Sequence, residues 1–286
     1  MSASASARLK IISAMAIFGT IGIFRKYIPL DSSLIALVRG VIGTAFLLLV
    51  MFISRTKLHK PAIRANLKLL VISGAAIGIN WILLFESYRY TSVATATLCY
   101  YMAPIFVMLL SPVVLRQHLT KTKLACVCVA LIGMVLVSGV LESSGAGFTG
   151  VLLGLGAAAF YASVILMNQF IRDIPAYDKT ILQLGSASAV LLPYVLLTVD
   201  FTAQSIAPLA VVMLLVVGVV HTGAAYWLYF GSMKDLPAQT IALLSYLDPV
   251  VAIILSALLL GEPMTLLTAI GAVLVLGATA VSELKA

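Results

Sequence analysis

Ten apolar stretches, each about as long as a membrane-crossing helix, dominate the sequence. A helix needs about 20 mostly apolar residues to cross the hydrocarbon of a bilayer, and the segments between these stretches are short. The stretches cover approximately residues 9–27, 32–53, 67–88, 92–115, 122–140, 149–171, 180–199, 208–230, 237–260 and 265–283. They predict an all-α integral membrane protein with ten transmembrane helices. We interpret the first stretch as a span and not as a cleaved leader, because no small-residue cleavage motif follows it.

Charged residues are too scarce for a water-soluble domain. Only 10% of the 286 residues are charged and 62% are hydrophobic, whereas a soluble globular domain carries about 25% charged residues. The cysteines all lie within apolar stretches, so we interpret them as small packing residues and expect no metal site.

The basic residues lie mostly on one side of the predicted membrane. Of the 18 Lys and Arg residues, fourteen fall on the side that carries both termini, three (Arg25, Lys26 and Arg89) fall on the other, and Arg39 lies within span two. The positive-inside rule therefore predicts that both termini lie in the cytoplasm. We expect a multi-pass protein of a bacterial-type plasma (inner) membrane. Topology and contact with anionic lipid then explain the net charge of +8, and we expect no nucleic acid partner.

The second half of the chain repeats the first at a spacing of 145 residues. With this shift, Tyr101 falls on Tyr246 and Pro104 falls on Pro249. Several serines, threonines and leucines around them also fall on identical residues. Each copy contains five predicted helices. Because five is odd, the second copy would enter the membrane from the opposite side, as in the inverted repeats of many transporters.

The repeat predicts two structural units and a break in each. The first unit would cover residues 1–145 and the second residues 146–286. Pro104 and Pro249 lie at equivalent positions within the fourth and ninth stretches, where proline removes a helical hydrogen bond and bends the helix. We interpret the two prolines as hinges, with a kink needed only for packing as the alternative.

Glycine pairs at four-residue spacing predict close helix contacts. Gly74 and Gly78 form one pair, and Gly150 and Gly154 form the other. Small residues at this spacing let two helix backbones approach one another inside a membrane.

Ionisable groups within membrane spans are costly and are functional candidates. Arg39 and Glu86 lie at similar depths in spans two and three, and we favour a structural ion pair between them over capture of a substrate carboxylate by Arg39. His221 lies in span eight, where packing and contact with a substrate or proton are equally plausible roles. Asp248 directly precedes Pro249, and it could hold a substrate ammonium group or a proton, or cap the local helix break.

The repeats resemble a known transporter family. The segments ESYRYTSVATATLCYYMAPIFVMLL and GSMKDLPAQTIALLSYLDPVVAIIL, together with ALVRGVIGTAFLLL around Arg39, are similar to the paired repeats of EamA-type proteins of the drug/metabolite transporter superfamily. Among these the chain most resembles the YddG-type aromatic amino acid exporters. The resemblance covers nearly the whole chain. It implies ten helices, a cavity lined mainly by spans one, three, four, six, eight and nine, and efflux of amino acids or related metabolites.

Aromatic residues, Tyr226 in span eight among them, cluster on the helices that this resemblance assigns to the cavity. Their faces suit a cation or an aromatic side chain, although Trp and Tyr also form belts at membrane interfaces. We assign Tyr88 and Tyr90 to the interfacial belt and not to the cavity. Asn80, beside Trp81, could bond either a backbone group or a substrate carboxylate. The predicted substrate-binding residues are Asn80, Trp81, Tyr100, Tyr101, Tyr161, His221, Trp227, Tyr246 and Asp248.

The functional hypothesis is a secondary transporter that exports amino acids, aromatic ones included, and related small metabolites by alternating access. The alternative is an exporter of cationic drugs or other metabolites. No ATP-binding loop of the GxxxxGK[ST] type occurs, and the scattered histidines argue against an enzyme. We expect no cofactor and a monomer, because both halves of the cavity lie in one chain.

Overall fold

A computed structural model describes residues 3–25, 27–91, 93–137, 147–204, 207–260 and 265–284. Every regular element within these residues is helical. The first half contains α1 (Ala3–Arg25), α2 (Ser32–Ile53), α3 (Lys60–Tyr90), α4 (Val93–Tyr100), α5 (Ala103–Val114) and α6 (Lys121–Val137).

The second half repeats this order with one more interruption. Its helices are α7 (Phe148–Asn168), α8 (Ala176–Thr198), α9 (Pro208–Val216), α10 (Ala225–Ser232), α11 (Ala238–Leu244), α12 (Leu247–Leu260) and α13 (Leu266–Leu284). A π-helical segment, Val217–Ala224, joins α9 to α10 without a loop.

Polar residues set the start of two long helices. The carboxylate of Asp31 accepts a hydrogen bond of 2.8 Å from the backbone N–H of Ser33, which caps α2. The imidazole of His59 accepts one of 3.2 Å from the N–H of Ala62 at the start of α3. Each bond satisfies a backbone donor that the first helical turn leaves free.

Eight helical stretches in the described residues are long and apolar enough to cross a membrane. They correspond to the predicted spans one to four and six to nine. The predicted fifth span is α6, which ends at Val137 where the described residues stop, and the tenth contains a shorter apolar helix, Ala269–Ser282. Large apolar side chains cover the outside of the bundle, as Phe52, Leu197 and Leu258 illustrate with 81%, 86% and 74% exposure. Such a surface requires lipid around it.

Both predicted helix breaks are present. α4 ends at Tyr100 and α5 begins at Ala103, immediately before Pro104. α11 ends at Leu244 and α12 begins at Leu247, two residues before Pro249. In each case two turn residues replace a regular helical turn, because the proline has no N–H to donate to the preceding turn.

The glycine pairs bring helices together as predicted. A Cβ atom added to Gly74 would lie 2.6 Å from the carbonyl oxygen of Gln183 in α8, and one added to Gly154 would lie 2.8 Å from Cβ of Cys99. α3 packs against α7 and α8, α6 against α13, and α1 against α10 and α12.

The π-helical segment was not predicted from the sequence. It packs against α2, where a Cβ atom at Gly43 would lie 3.0 Å from the carbonyl oxygen of Gly218 and from the N–H nitrogen of Gly223. Glycines on both sides allow this approach, and π-helical turns inside longer helices frequently accompany functional sites.

Candidate functional site

A cavity of about 430 Å³ lies between the two halves of the chain. Its walls come from α1 between Met15 and Gly22, from α2 between Ser32 and Arg39, and from α3 between Trp81 and Tyr88. Further residues come from α4 and α5 and, in the second half, from α7, α10 and α12. It therefore extends toward the end of the bundle where α1 connects to α2. The volume is typical of small-molecule sites, which span about 300–1,000 Å³. Span two, which the family resemblance did not include, contributes one wall.

Arg39 is the positive charge in the cavity wall. Its guanidinium carbon lies 4.6 Å from the centre of the Trp81 ring, a cation–π contact. Its Nε atom is buried with no hydrogen-bond partner in the described part of the chain. Glu86 forms its ion pair with Arg89 instead, so the predicted ion pair between Arg39 and Glu86 is wrong.

Glu86 has other partners because of its position on α3. Its carboxylate accepts a hydrogen bond of 3.0 Å from Arg89, three residues further along the same helix, and another from the hydroxyl of Tyr194 in α8. Residues three apart share one face of a helix, so the local pair forms and Arg39 remains available to the cavity.

Asp248 is the negative charge in the cavity wall. It lies at the start of α12, directly after the helix break and directly before Pro249. Its carboxylate makes neither a hydrogen bond nor an ion pair within the described residues. α1 supports it from behind, where a Cβ atom at Gly19 would lie 2.7 Å from the carbonyl oxygen of Asp248. Arg39 and Asp248 thus line one cavity without neutralising each other.

Aromatic rings form most of the remaining wall. Tyr100 and Tyr161 stack with ring centres 5.5 Å apart. The Tyr161 hydroxyl lies 2.7 Å from that of Tyr229, which in turn lies 3.4 Å from Oγ of Ser245. Of the predicted site residues, the cavity brings together Arg39, Trp81, Tyr100, Tyr101, Pro104, Tyr161 and Asp248.

Tyr226, one of the aromatic residues on the expected cavity helices, lines the cavity. Several other lining residues were not predicted from the sequence: Tyr88, which is assigned above to the interfacial belt, Phe18, Tyr229 and Ser245. Tyr226 and Tyr229 are three apart on α10, a spacing that places both on one helix face and could have indicated a shared wall. Within the described residues no group of three His, Cys, Asp or Glu side chains could hold a metal ion.

Comparison with known proteins places this architecture in a family. The model of the EamA-like transporter family matches residues 6–139 and again residues 148–283. The chain belongs to the EamA-like transporter family. It is 30% identical to the uncharacterized transporter YxxF of Bacillus subtilis over 285 residues, which cover 98% of this chain and 90% of that one. It is 29% identical over 181 residues to a probable amino-acid metabolite efflux pump of Salmonella typhimurium, which is 60% of each chain.

A solved crystal structure has the same fold as this EamA-like transporter. The two superpose with a TM-score of 0.87 at 19% identity, over 99% of this chain and 98% of that one.

Two of the predicted substrate-binding residues of the transporter lie behind the cavity wall. Asn80 donates a hydrogen bond of 2.6 Å to the carbonyl oxygen of Ala157, so its amide joins α3 to α7. Trp227 packs against the ring of Tyr177 with centres 5.1 Å apart. Both residues hold neighbouring helices in place instead of facing the cavity.

His221 also lies outside the cavity, where it joins the π-helical segment to α1. Its Nε2 atom is 2.7 Å from the hydroxyl of Thr20, which itself donates to the carbonyl oxygen of Ile17. The Phe24 ring covers the imidazole at 4.9 Å.

Tyr246 and Tyr101, equivalent residues of the two copies, meet at the helix breaks. The Tyr246 hydroxyl donates a hydrogen bond of 3.0 Å to the carbonyl oxygen of Tyr101. In a continuous helix that carbonyl would accept from Ile105, but the N–H of Ile105 bonds Met102 instead. Tyr246 is fully buried and stabilises the break in α4–α5 from outside the cavity. Pro249 likewise lies outside the cavity.

Tight packing closes the bundle beyond the cavity. All seven residues of α11 are buried, and Gln239 donates a hydrogen bond of 2.8 Å from its amide to Oγ of Ser111 in α5. Lys179, 3% exposed, donates one of 3.0 Å to the carbonyl oxygen of Phe230. We call this region, formed by α5, α11 and the adjoining ends of α8 and α10, the closed end.

Proposed function

We propose that this EamA-like transporter exports amino acids, aromatic ones included, and related small metabolites. The observation that carries the proposal is the presence of Arg39 and Asp248, each without a partner of opposite charge, in one aromatic cavity. An α-amino acid has a carboxylate and an ammonium group on one carbon. A guanidinium binds the first through paired hydrogen bonds, and a carboxylate binds the second.

The aromatic walls suit the side chain of such a substrate. Phe18 and Tyr226 contact each other edge to face with centres 5.0 Å apart, and Tyr226 contacts Trp81 in the same way at 6.2 Å. The aromatic ring of a substrate could join this edge-to-face arrangement. Each such ring pair stabilises the complex by about 0.5–1.5 kcal/mol in addition to the burial of apolar area. The Salmonella relative, a probable amino-acid metabolite efflux pump, supports the same substrate class.

The transport cycle would be alternating access between two inverted five-helix repeats in ten spans. The helix contacts support this arrangement, because exchanging the equivalent helices of the two copies reproduces them. The equivalent pairs are α1 and α7, α2 and α8, α5 and α12, and α6 and α13. Exchanging the partners turns the contact of α1 with α12 into that of α7 with α5, which is also present. The contacts of α2 with α8 and of α6 with α13 join equivalent helices, so the exchange leaves them unchanged. Such pairing is expected around a two-fold axis in the membrane plane.

One conformation of that cycle would be the one described above. The cavity would open away from the cytoplasm, and the closed end would face it, with both termini in the cytoplasm of a bacterial-type inner membrane. The distribution of basic residues supports this orientation. The breaks before Pro104 and Pro249 would allow α4 and α11 to move relative to α5 and α12.

Asp248 also favours a second candidate, the export of cationic drugs. A cationic drug would bind to the carboxylate and to the aromatic faces of the cavity. Arg39 is also positively charged and would not contribute to its binding. The requirement for Arg39 therefore discriminates between the two functions.

Solute counterflow in proteoliposomes tests both candidates. Vesicles loaded with one unlabelled amino acid should accumulate the same labelled amino acid from outside. Arg39→Gln and Asp248→Asn should each lower the initial rate roughly 10- to 150-fold at low substrate, since a hydrogen bond to a charged group contributes about 1.5–3 kcal/mol. Arg64→Gln and Asp173→Asn remove the same charges from exposed positions and should leave the rate unchanged.

Two results would contradict the proposal. Folded protein that accumulates no amino acid would refute the substrate class. Loss of counterflow of a cationic drug in Asp248→Asn, with full activity in Arg39→Gln, would instead establish the second candidate.

A further inference from the structure

A second pocket lies where two membrane spans end. It has a volume of about 280 Å³ and lies between the end of α5 and the end of α7. Its lining residues are Val114, Leu115, Arg116, Gln117, Gln169, Phe170 and Arg172. The pocket shares no residue with the transport cavity and has no part in the proposed function.

Two arginines give this pocket its charge. Arg116 and Arg172 both line it, and neither guanidinium has an acidic partner among the described residues. Arg116 directly follows the C-cap of α5 and has a positive φ of 54°, the left-handed conformation in which helices commonly end. The turn that ends α5 thus places Arg116 at the pocket.

One hydrogen-bond acceptor in the pocket wall is also unused. The side-chain oxygen of Gln117 is buried and has no partner in the described part of the chain, and a buried acceptor without a hydrogen bond is destabilising. A ligand with a hydroxyl group would satisfy it. Gln169, by contrast, already donates to the carbonyl oxygens of Met233 and Leu236.

The pocket lies at the level of a membrane–water interface. The candidate spans that border it end at Val114 and Asn168. Immediately on the membrane side, Val113 is 80% exposed, and Phe170 at the pocket itself is 47% exposed. A ligand in the pocket would therefore have its charged group beside the arginines and apolar side chains next to it on the lipid side.

We propose that this pocket binds the phosphate group of an anionic lipid, with a glycerol head group as the best fit. The two guanidinium groups bind the phosphate oxygens in the bidentate geometry that arginine favours. The unused oxygen of Gln117 accepts a hydrogen bond from a head-group hydroxyl. Val113 and Phe170 contact the start of the acyl chains. Basic pockets between helix ends on the cytoplasmic side are a known mode of lipid binding, and the proposed topology assigns this end to the cytoplasm.

Native mass spectrometry of the purified full-length chain tests the assignment. Protein in micelles is mixed with phosphatidylglycerol or phosphatidylcholine, and the bound lipids are counted. The wild-type protein should retain phosphatidylglycerol in preference to phosphatidylcholine, whose choline cancels the phosphate charge. Because each guanidinium would bind the phosphate through charge-assisted hydrogen bonds, Arg116→Gln/Arg172→Gln should weaken retention roughly 25-fold or more.

A charge-matched variant separates this pocket from a diffuse basic surface. Lys121→Gln/Lys123→Gln removes two charges from the start of α6, outside the pocket, and should weaken retention much less. Equal losses in the two double variants, or equal retention of both lipids by the wild-type protein, would overturn the proposal. The second criterion uses the wild-type protein alone, so it holds even if the arginine variant fails to fold.

Two further measurements identify the ligand. Gln117→Leu should weaken retention of phosphatidylglycerol but not of phosphatidylmethanol, an anionic phosphodiester whose head group has no hydroxyl, and an equal effect on both would refute the role of Gln117. Soluble glycerophosphate should compete poorly, because it cannot contact the apolar side chains. Competition at the same concentration as the lipid would overturn the lipid assignment in favour of a soluble phosphate ester.

Discussion

The hydrogen bond between Gln239 and Ser111 is a direct test of how the closed end opens. Gln239 is 1% exposed and Ser111 is fully buried, and the 2.8 Å bond joins α11 to α5. Ser111→Ala removes the acceptor and leaves the amide of Gln239 buried without it. This costs about 1–3 kcal/mol in the closed conformation. In the open conformation of the proposed cycle, water would satisfy the amide, so the cost falls on one state only.

The expected result is a shift of population toward the conformation that is open at this end. A difference of 1.4 kcal/mol is tenfold in an equilibrium constant, so Ser111→Ala should raise the open fraction roughly 5- to 150-fold. Adding Gln239→Leu removes the unpaired amide, and the double variant should return close to the wild-type population. Rescue by a second substitution is specific to a buried pair.

Alkylation of an introduced cysteine measures this population. Ala238 is fully buried at the start of α11, so Ala238→Cys, in a background without the native cysteines, should react with a maleimide only when the closed end opens. Ser73→Ala is the matched control, since it removes an acceptor 2.6 Å from the amide of Gln183 between α3 and α8. An alkylation rate unchanged in Ser111→Ala, raised equally in Ser73→Ala, or not restored in the double variant would refute the reasoning.

Three further substitutions have expected outcomes. Gly74→Ala should destabilise the protein by about 1–3 kcal/mol, because its Cβ would lie 2.6 Å from a backbone oxygen. Gly185→Ala, with nothing within 4 Å of its Cβ, should be neutral or stabilising by up to about 1 kcal/mol, and thermal unfolding in detergent compares the two. Tyr246→Phe leaves the carbonyl of Tyr101 unpaired and should lower the melting temperature without changing substrate preference in competitive counterflow. A changed preference would return Tyr246 to the substrate site. Glu86→Gln should leave counterflow at the wild-type rate, because Glu86 does not line the cavity, and a large loss would contradict that placement.

The sequence predicted the parts of the architecture that depend on lipid and on helix chemistry. Long apolar stretches are stable in a bilayer only as helices, because each helix satisfies its own backbone hydrogen bonds. Proline removes one hydrogen bond of a helix interior, but Pro112 and Pro193 lie inside α5 and α8 without ending them. The breaks before Pro104 and Pro249 were predictable because these two prolines occupy equivalent positions in the two copies. Membrane spans and the close contacts at Gly74 and Gly154 were predictable from local residue types.

The contents of the cavity depended on the rotation of each helix about its axis, which the tertiary packing decides. Arg39 and Glu86 have similar depths, so the sequence suggested an ion pair. They lie on different helix faces, however, and Glu86 accepts hydrogen bonds from Arg89 and Tyr194 instead. Tyr246 and Asp248 are two residues apart on one broken span, yet only Asp248 faces the cavity. Sequence spacing determined how deep each residue lies, because depth follows from position along a span. Only the packing of the helices decided which of these residues share a cavity, because that depends on contacts between segments far apart in the chain.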